Sequence, residues 1–353
     1  MPGGGWSSRG GTGTRWAVGG NGTLSPQQAP LGAEDPRRYK REVRAEIRAA
    51  VAILDSGGVV AFPTETVYGL GADATDADAV QRLFDLKQRP AGRPLTVLLA
   101  PGADPGAWGE WGEQATTLAR RFWPGPLTLV VPRRAPLPEV LTGGLPSIGL
   151  RVPDHPLAIE LLEAFERGLA APSANPSGQA SATRAEHVRA AFADQVPLVL
   201  DGGPCRVGIE SAVVELGSGS PRLLRPGAIP QDELEAVLGA PLRVARLQAG
   251  YAPRTPLRLA RADELEALLR ELGGHAAVLS FRQPDSPHAR WLRAPADPPT
   301  YARRLYEMLH QLDQDGHPLL IVEAVPEGGA WAAVADRLRR ATHVGLDASI
   351  RTT

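Results

Sequence analysis

The chain has 353 residues, 43% hydrophobic and 22% charged, with a formal net charge of -1. That length and composition suit two globular domains, and the near-neutral balance excludes a global basic field for nucleic acid or an anionic membrane. A single cysteine, Cys205, excludes an internal disulfide framework and fits a reducing compartment, while no apolar run reaches the roughly 20 residues of a membrane span, so no membrane contact and a cytoplasmic location are expected.

Residues 1–36 are rich in Gly, Ser, Thr and Pro and lack periodicity, which predicts a disordered extension or a start site placed too early. From Arg41, helix-like and strand-like stretches alternate. Val43, Ile47, Val51 and Leu54 recur at helical spacing before Gly57-Gly58. Val59-Val60-Ala61-Phe62 reads as a buried strand entering the polar loop Pro63-Thr64-Glu65-Thr66. Thr75 or Asp76 can cap a helix over 76–88 that Pro90 ends. Strand 95–99, a helix closing at Pro124-Gly125-Pro126 and strand 127–131 follow. Strand 148–152, helix 157–165 and strand 169–171 then lead into the loop 172–178. Helix 185–192, strand 198–200, an antiparallel pair 212–216 with 222–224, and helix 231–238 complete an α/β domain over 37–238. Several neighbouring strands are joined too tightly for helix crossovers, which predicts a mixed sheet.

Residues 239–257, rich in Pro and Arg, read as a linker. Helix 262–272, strand 276–280, helix 300–312, strand 319–325 and helix 331–342 predict a smaller α/β domain over 258–353 with a parallel, Rossmann-like sheet. Its first strand is followed by no glycine fingerprint, so it is not expected to bind a dinucleotide.

Histidines are scattered, and neither a His-Glu-x-x-His helix, a Gly-x-Ser-x-Gly elbow nor a phosphate loop ending in Gly-Lys-Ser/Thr occurs. Small hydroxyl residues recur instead in Gly/Pro loops, most of them just behind a buried strand: Thr64 and Thr66, Ser173 with Asn175, Ser181 with Thr183, and Ser211. Ligands of open α/β sheets sit at strand carboxyl ends, where hydroxyls and backbone N–H groups line an anion pocket. Lys87 is one of two lysines among 38 basic residues, and it stands two positions before Arg89. A polyphosphate clamp uses both cation types, the arginine fork on oxygen pairs and the lysine point charge on a phosphoryl group. Complementing a helix C-terminus is the structural alternative for this pair. Arg151 and Arg225 each close a strand, where an ion pair with a nearby carboxylate is the alternative. Four cations beside four hydroxyl loops describe a cleft for a phosphate-bearing anion.

Phe62-Pro63-Thr64-Glu65-Thr66-Val67-Tyr68-Gly69-Leu70-Gly71, Lys87-Gln88-Arg89-Pro90, Phe122-Trp123-Pro124-Gly125-Pro126-Leu127-Thr128, Arg151-Val152-Pro153, Ala171-Pro172-Ser173-Ala174-Asn175-Pro176-Ser177-Gly178, Gly208-Ile209-Glu210-Ser211 and Leu224-Arg225-Pro226-Gly227 occur in this order. Together they resemble the YrdC/TsaC family of L-threonylcarbamoyladenylate synthases. The segments Tyr301-Ala302-Arg303-Arg304-Leu305-Tyr306 and Ala335-Asp336-Arg337-Leu338-Arg339-Arg340-Ala341 resemble the second domain of its long form. The resemblance implies a YrdC-like mixed, twisted sheet and a reaction of L-threonine, bicarbonate and ATP that yields threonylcarbamoyl-AMP and pyrophosphate. It also implies Mg²⁺ with the ATP and a product handed to threonylcarbamoyl-transfer proteins acting on tRNA.

By the family pattern, Thr66, Arg151, the backbone at Ala171, and Ser211 hold threonine. Lys87, Arg89, Ser147, Ser173, Asn175, Ser181 and Arg225 hold ATP, with Lys87 and Arg89 as the catalytic cations. Tyr251 resembles a lid residue over the nucleotide, and packing between domains is its structural alternative. The chain departs from the pattern at Arg93, expected on a phosphate where Asn or Lys is usual, and at Leu98, where a histidine is common. Gly250 replaces the histidine before Tyr251-Ala252-Pro253, and Ala212 the threonine after Ser211. Two other readings stand beside the synthase: a tRNA or rRNA maturation factor of the same fold with weak RNA binding, and a carbamoyl-adenylate-forming enzyme acting on another acceptor.

Overall fold

The computed structural model describes residues 36–342 apart from 135, 218 and 246–249; the expected N-terminal extension up to residue 35 lies outside the described residues. Two sheets organise the chain. The first has nine strands: β1 (Val60–Phe62), β2 (Gly69–Asp73), β3 (Thr96–Leu98), β4 (Leu127–Pro132), β5 (Ser147–Arg151), β6 (Leu169–Ala170), β7 (Ala212–Glu215), β8 (Arg222–Arg225) and β9 (Arg243–Val244). They lie in the order β1-β2-β6-β3-β5-β4-β7-β8-β9. The pairs β3–β5, β4–β7 and β8–β9 are parallel and the others antiparallel, so the sheet is mixed.

Side-chain alternation assigns the two faces of this sheet. Leu98 on β3 and Leu169 on β6 join Val60 and Phe62 beneath α1 (Pro36–Asp55) and α5 (Pro156–Phe165). α1 buries Val43, Ile47 and Leu54 of the residues set at helical spacing, with Ala50 beside them, while Val51 is only partly buried. Val97 and Ala170 point to the opposite face. There they meet Val80, Leu83 and Phe84 of α2 (Ala77–Lys87), Leu118 of α3 (Glu113–Phe122) and Val188 of α6 (Ala185–Phe192). Asp76 caps α2, accepting from the N–H groups of Asp78 and Ala79. Two short helices, α4 (Glu139–Thr142) and α7 (Gln231–Leu238), complete this part of the chain.

Two expectations are corrected by the backbone. Residues 198–200 form no strand: both contacts are made to one residue, with Ala61 N–H donating to Leu198 O and Leu200 N–H to Ala61 O. Conversely, β2 was hidden in a motif of small residues. Glycine is required there because a Cβ on Gly71 would stand 2.8 Å from the Phe62 ring, so the strand closes over that ring without branched side chains.

The second sheet has four strands, all parallel, in the order β10 (Leu257–Ala260), β13 (Leu319–Glu323), β11 (Ala276–Ser280), β12 (Arg290–Arg293). The crossovers carry α8 (Leu265–Glu271) and α9 (Pro298–Asp313), while β11 and β12 are joined by a loop alone. β10 opens at residue 257, inside the stretch read as linker, and β9 also falls within that stretch. Their arginine-rich sequences hid both. Among the described residues, no helix is long and apolar enough to cross a membrane.

The two parts share one core. Val67, Ala180, Ile209 and Tyr251 from the first part belong to the same apolar cluster as Tyr301, Leu305, Tyr306 and Leu309 of α9 and Val334 and Leu338 of α10 (Ala332–Thr342). Around it, Arg184 pairs with Glu307 at 2.8 Å, and the His187 and His310 rings stand 4.1 Å apart. Gly208 sets the closeness of approach. Its φ is +80°, and a Cβ there would lie 2.3 Å from the carbonyl oxygen of Arg303. Gly208→Ala is therefore expected to lower stability by about 1–3 kcal/mol through overpacking and left-handed strain, read as a lower urea midpoint at unchanged slope. An unaltered midpoint would contradict this backbone contact.

Candidate active site

A cavity of about 570 Å³ opens against the first sheet, within the range of roughly 300–1,000 Å³ typical of small-molecule sites. Its first wall is the turn after β1. Thr64 Oγ1 donates to Val67 O at 2.7 Å and receives the Thr66 N–H at 3.1 Å, so a side chain rather than a helix shapes this turn. The turn carries Thr66 to Arg151, at the end of β5. Arg151 Nη2 donates to Thr66 Oγ1 at 2.9 Å and lies 2.7 Å from Glu65 Oε1, while Nε donates to Gly125 O at 3.1 Å. The other oxygen of Glu65 receives the Asp154 N–H. The ion pair considered as the structural alternative for Arg151 is thus present, and it fixes the guanidinium beside the cavity.

The second wall is the loop 172–178. Leu70 N–H donates to Pro172 O and Ala174 N–H to Tyr68 O, tying this loop to the start of β2. Asn175 Nδ2 serves the carbonyls of Pro176 and Gln179, and Ser177 N–H reaches Lys87 O. Lys87 ends α2, where Gln88 turns left-handed at φ 50°. Its side chain is 1% exposed, and Nζ donates to the carbonyls of Ser173 and Asn175. Burial, helped by Arg89, pushes its pKa well below the usual lysine value. Arg89 is pushed down to about 10, first by burial and then by Arg93 and Arg225, with Tyr251 acting the other way. Arg89 Nη2 donates to Pro94 O at 3.0 Å.

The third wall joins β7, β8 and the chain at Tyr251. Ser211 and Thr128 hydroxyls share a hydrogen bond of 2.8 Å. Arg225 Nε donates to Ser211 O at 3.0 Å, Nη2 to Ser211 Oγ at 3.1 Å, and Nη1 to the Tyr251 hydroxyl at 3.2 Å. Tyr251 is 6% exposed, and its neighbour Ala252 exchanges backbone bonds with Gly178 and Ala180. It meets both descriptions given for it, since it lines the cavity and also packs in the shared core.

Ser147, Ala171, Ser173 and Arg93 also line the cavity, as do Thr66, Lys87, Arg89, Arg151, Asn175, Ser211, Arg225 and Tyr251. Ser181 does not. It is fully buried behind the wall with its hydroxyl donated to Glu210 Oε1 at 2.5 Å. Leu98 is on the wall, where the family pattern often has a histidine. Sequence reasoning quoted Glu65 and Glu210 within motifs but gave neither a task; each is a buried carboxylate holding an arginine. Thr128 was missed too. The signal shared by the two glutamates is an acid placed directly before a hydroxyl residue, Glu65-Thr66 and Glu210-Ser211.

Among the described residues, six of the cavity's side chains are basic (Lys87, Arg89, Arg93, Arg151, Arg222 and Arg225) against two carboxylates, Glu210 and Glu215. Glu210 is paired with Arg337 and Glu215 with Arg222. The arrangement suits a ligand with several anionic oxygens, bound by cations, hydroxyls and backbone amides and not attacked by a protein nucleophile.

Comparison with known proteins agrees with this chemistry. A family model described as telomere recombination, covering the Sua5, YciO and YrdC proteins, matches residues 52–227. A second, described as the threonylcarbamoyl-AMP synthase C-terminal domain, matches residues 229–342. The chain is 39% identical over 322 residues to the threonylcarbamoyl-AMP synthase of Pyrococcus abyssi, covering 84% of this chain and 94% of that one. It is 36% identical over 320 residues to the Bacillus subtilis protein of the same name, covering 84% and 92%. The crystal structure of P. abyssi Sua5 complexed with L-threonine is similar with a TM-score of 0.78 at 38% identity, over 84% of this chain and 94% of that one.

The state of Lys87 gives a direct test. Burial holds its amine below the usual pKa, and a polyphosphate entering the cavity should reverse that and draw a proton onto Nζ. Calorimetry with tripolyphosphate over a pH series from about 7 to about 10, in buffers of differing ionisation enthalpy, should show proton uptake by the wild-type chain, largest where the free amine titrates, that Lys87→Met abolishes. Equal uptake by both proteins would place the titrating group elsewhere.

Proposed function

The chain belongs to the Sua5–YrdC family of threonylcarbamoyl-AMP synthases, and we propose that it joins L-threonine, bicarbonate and ATP into threonylcarbamoyl-AMP with release of pyrophosphate. The observation that carries this reading is convergence. Cations from α2, the loop behind it and β8 share one cavity with the Thr66–Arg151 corner.

The chemistry runs in two steps. Threonine's amine adds to the carbon of bicarbonate and water leaves, giving an N-carboxylate. A carboxylate oxygen then attacks the α-phosphorus of ATP; that P–O bond forms as the bond to the bridging oxygen breaks, and pyrophosphate carries away the electron pair. Neither step needs a covalent enzyme intermediate, so alignment and charge neutralisation supply the catalysis. Arg151, held by Glu65, takes the threonine carboxylate, with Thr66, the backbone at Ala171, and Ser211 around the rest of the amino acid. Lys87, Arg89, Arg93 and Arg225 attend the triphosphate, and Ser147, Ser173, Asn175 and Tyr251 hold the remainder of the nucleotide. Ser181 acts from behind the wall, through Glu210. The two cavity carboxylates are each committed to an arginine, so they offer no dedicated metal cage; Mg²⁺ enters on the oxygens of its triphosphate as part of the substrate. The product then goes to proteins that transfer the threonylcarbamoyl group to tRNA.

Purified protein should release pyrophosphate only when ATP, threonine and bicarbonate are all present, with the adenylate identified by mass spectrometry. Pyrophosphate release without threonine would overturn the reading. Arg151→Ala should raise KM for threonine by about tenfold to a hundredfold, the worth of a charge-assisted pair, and leave KM for ATP within about threefold. A larger change for ATP than for threonine would move Arg151 to the nucleotide.

A further inference from the structure

The second domain holds the most deeply buried arginine among the described residues. Arg337, on α10, has a side chain with no exposure, yet its donors all leave the helix towards the cavity wall or its own neighbour. Nε donates to Glu210 Oε2 at 2.7 Å and Nη2 to the Glu210 carbonyl at 3.2 Å. Nη1 donates to Pro226 O at 2.9 Å and to Asp336 Oδ2 at 2.9 Å. Its guanidinium carbon also stands 5.5 Å from the centre of the Tyr251 ring, a cation–π distance. Tyr306, on α9, donates its hydroxyl to the Glu210 carboxylate at 3.1 Å and packs 6.1 Å from Tyr251.

Three of the points so gripped matter to the cavity. Glu210 immediately precedes Ser211, and Pro226 immediately follows Arg225. Those two neighbours face one another, Arg225 donating to both the carbonyl and the hydroxyl of Ser211. The ladder between β7 and β8 shifts register at Val213/Val214, so regular pairing alone does not fix this end. One planar fork thus fastens both loop ends and the ring of Tyr251.

We infer that Arg337 and Tyr306 are positioning residues of the second domain, which hold the Ser211–Arg225–Tyr251 wall in its ligand-binding geometry through Glu210 and Pro226. They touch no substrate themselves. The kinetic part of this inference rests on the synthase reading; the structural part does not.

Arg337→Lys separates positioning from mere charge. It keeps a cation beside Glu210, but one nitrogen cannot span Glu210 and Pro226 as the fork does. In the full-length chain it should raise KM for both threonine and ATP about tenfold, the loss expected for one hydrogen bond to a charged group. Tyr306→Phe, which keeps the packed ring, should move both in the same direction by a smaller factor. Arg184→Ala removes the interface pair with Glu307 without touching either loop and should leave both KM values within about twofold. Hydrogen exchange supplies a readout that needs no turnover: in Arg337→Lys the amides of residues 211–213, 225, 227 and 228 should exchange faster, with those of β3 and β5 unchanged. If the wild-type chain makes no adenylate but this exchange pattern appears, the synthase reading falls and the clamp stands. In an active enzyme, unchanged KM values in Arg337→Lys would reduce Arg337 to a stabilising residue and overturn the inference. So would an equal effect of Arg184→Ala, or an unchanged exchange pattern.

Discussion

A buried ion pair across two domains, Glu210 with Arg337, is the constraint from which the rest of the structure follows. Taking both charges out of water is costly, and the pair is tolerable because both oxygens of Glu210 and all three nitrogens of Arg337 find partners. Glu210 receives Ser181, Tyr306 and Arg337, and Arg337 spends its remaining donors on two carbonyls and Asp336. Burial pushes the Glu210 pKa up, but Arg337, Arg225 and Ser181 together bring it below the usual carboxylate value. Breaking such a pair by removing one partner costs about 3–5 kcal/mol. The two domains therefore cannot part without stranding a charge, and the shared apolar cluster around Ile209 and α9 adds to that penalty.

The same logic repeats on a smaller scale at Glu65 and Arg151. Each carboxylate sits one residue before a hydroxyl that lines the cavity, Thr66 and Ser211 respectively. Each holds an arginine, and each is itself almost fully buried. Acid, then hydroxyl, is a way of fixing a small polar side chain on a loop: the acid anchors the backbone in the protein and the next residue projects into the ligand space. The loops are thereby anchored at defined points without regular secondary structure, which suits a reaction governed by alignment.

Legibility from sequence tracked the range of the forces involved. α1, α2, α5 and α6 were readable because their apolar stripes and caps are local, and β4 and β5 because they are continuous buried runs. β2, β9 and β12 were not. β2 owes its place to Gly71 meeting the Phe62 ring, a contact between strands, while β9 and β12 are rich in arginine and owe theirs to their neighbours. At the cavity, residues following buried strands were legible individually, through their loops and through family likeness. What sequence could not supply was the direction of a side chain: Ser181 turns from the cavity to Glu210. Nor could it pair Arg337 with Glu210 across 127 positions of chain.

The chain's preference for arginine makes the lysine at 87 informative. An arginine there would bring a guanidinium that cannot shed its proton in a protein, into a position that is 1% exposed and offers two carbonyl oxygens but no carboxylate. Lysine donates to both carbonyls from one compact nitrogen, so it holds the loop at Ser173 and Asn175. Phosphate oxygens brought beside the same amine would favour its charged form, against the desolvation that depresses its pKa. Arg89, Arg93 and Arg225 carry permanent charge nearer the open cavity and provide the standing field. Position 87 calls for a small donor that joins two carbonyls from one nitrogen, which lysine's compact amine supplies and a planar fork does not.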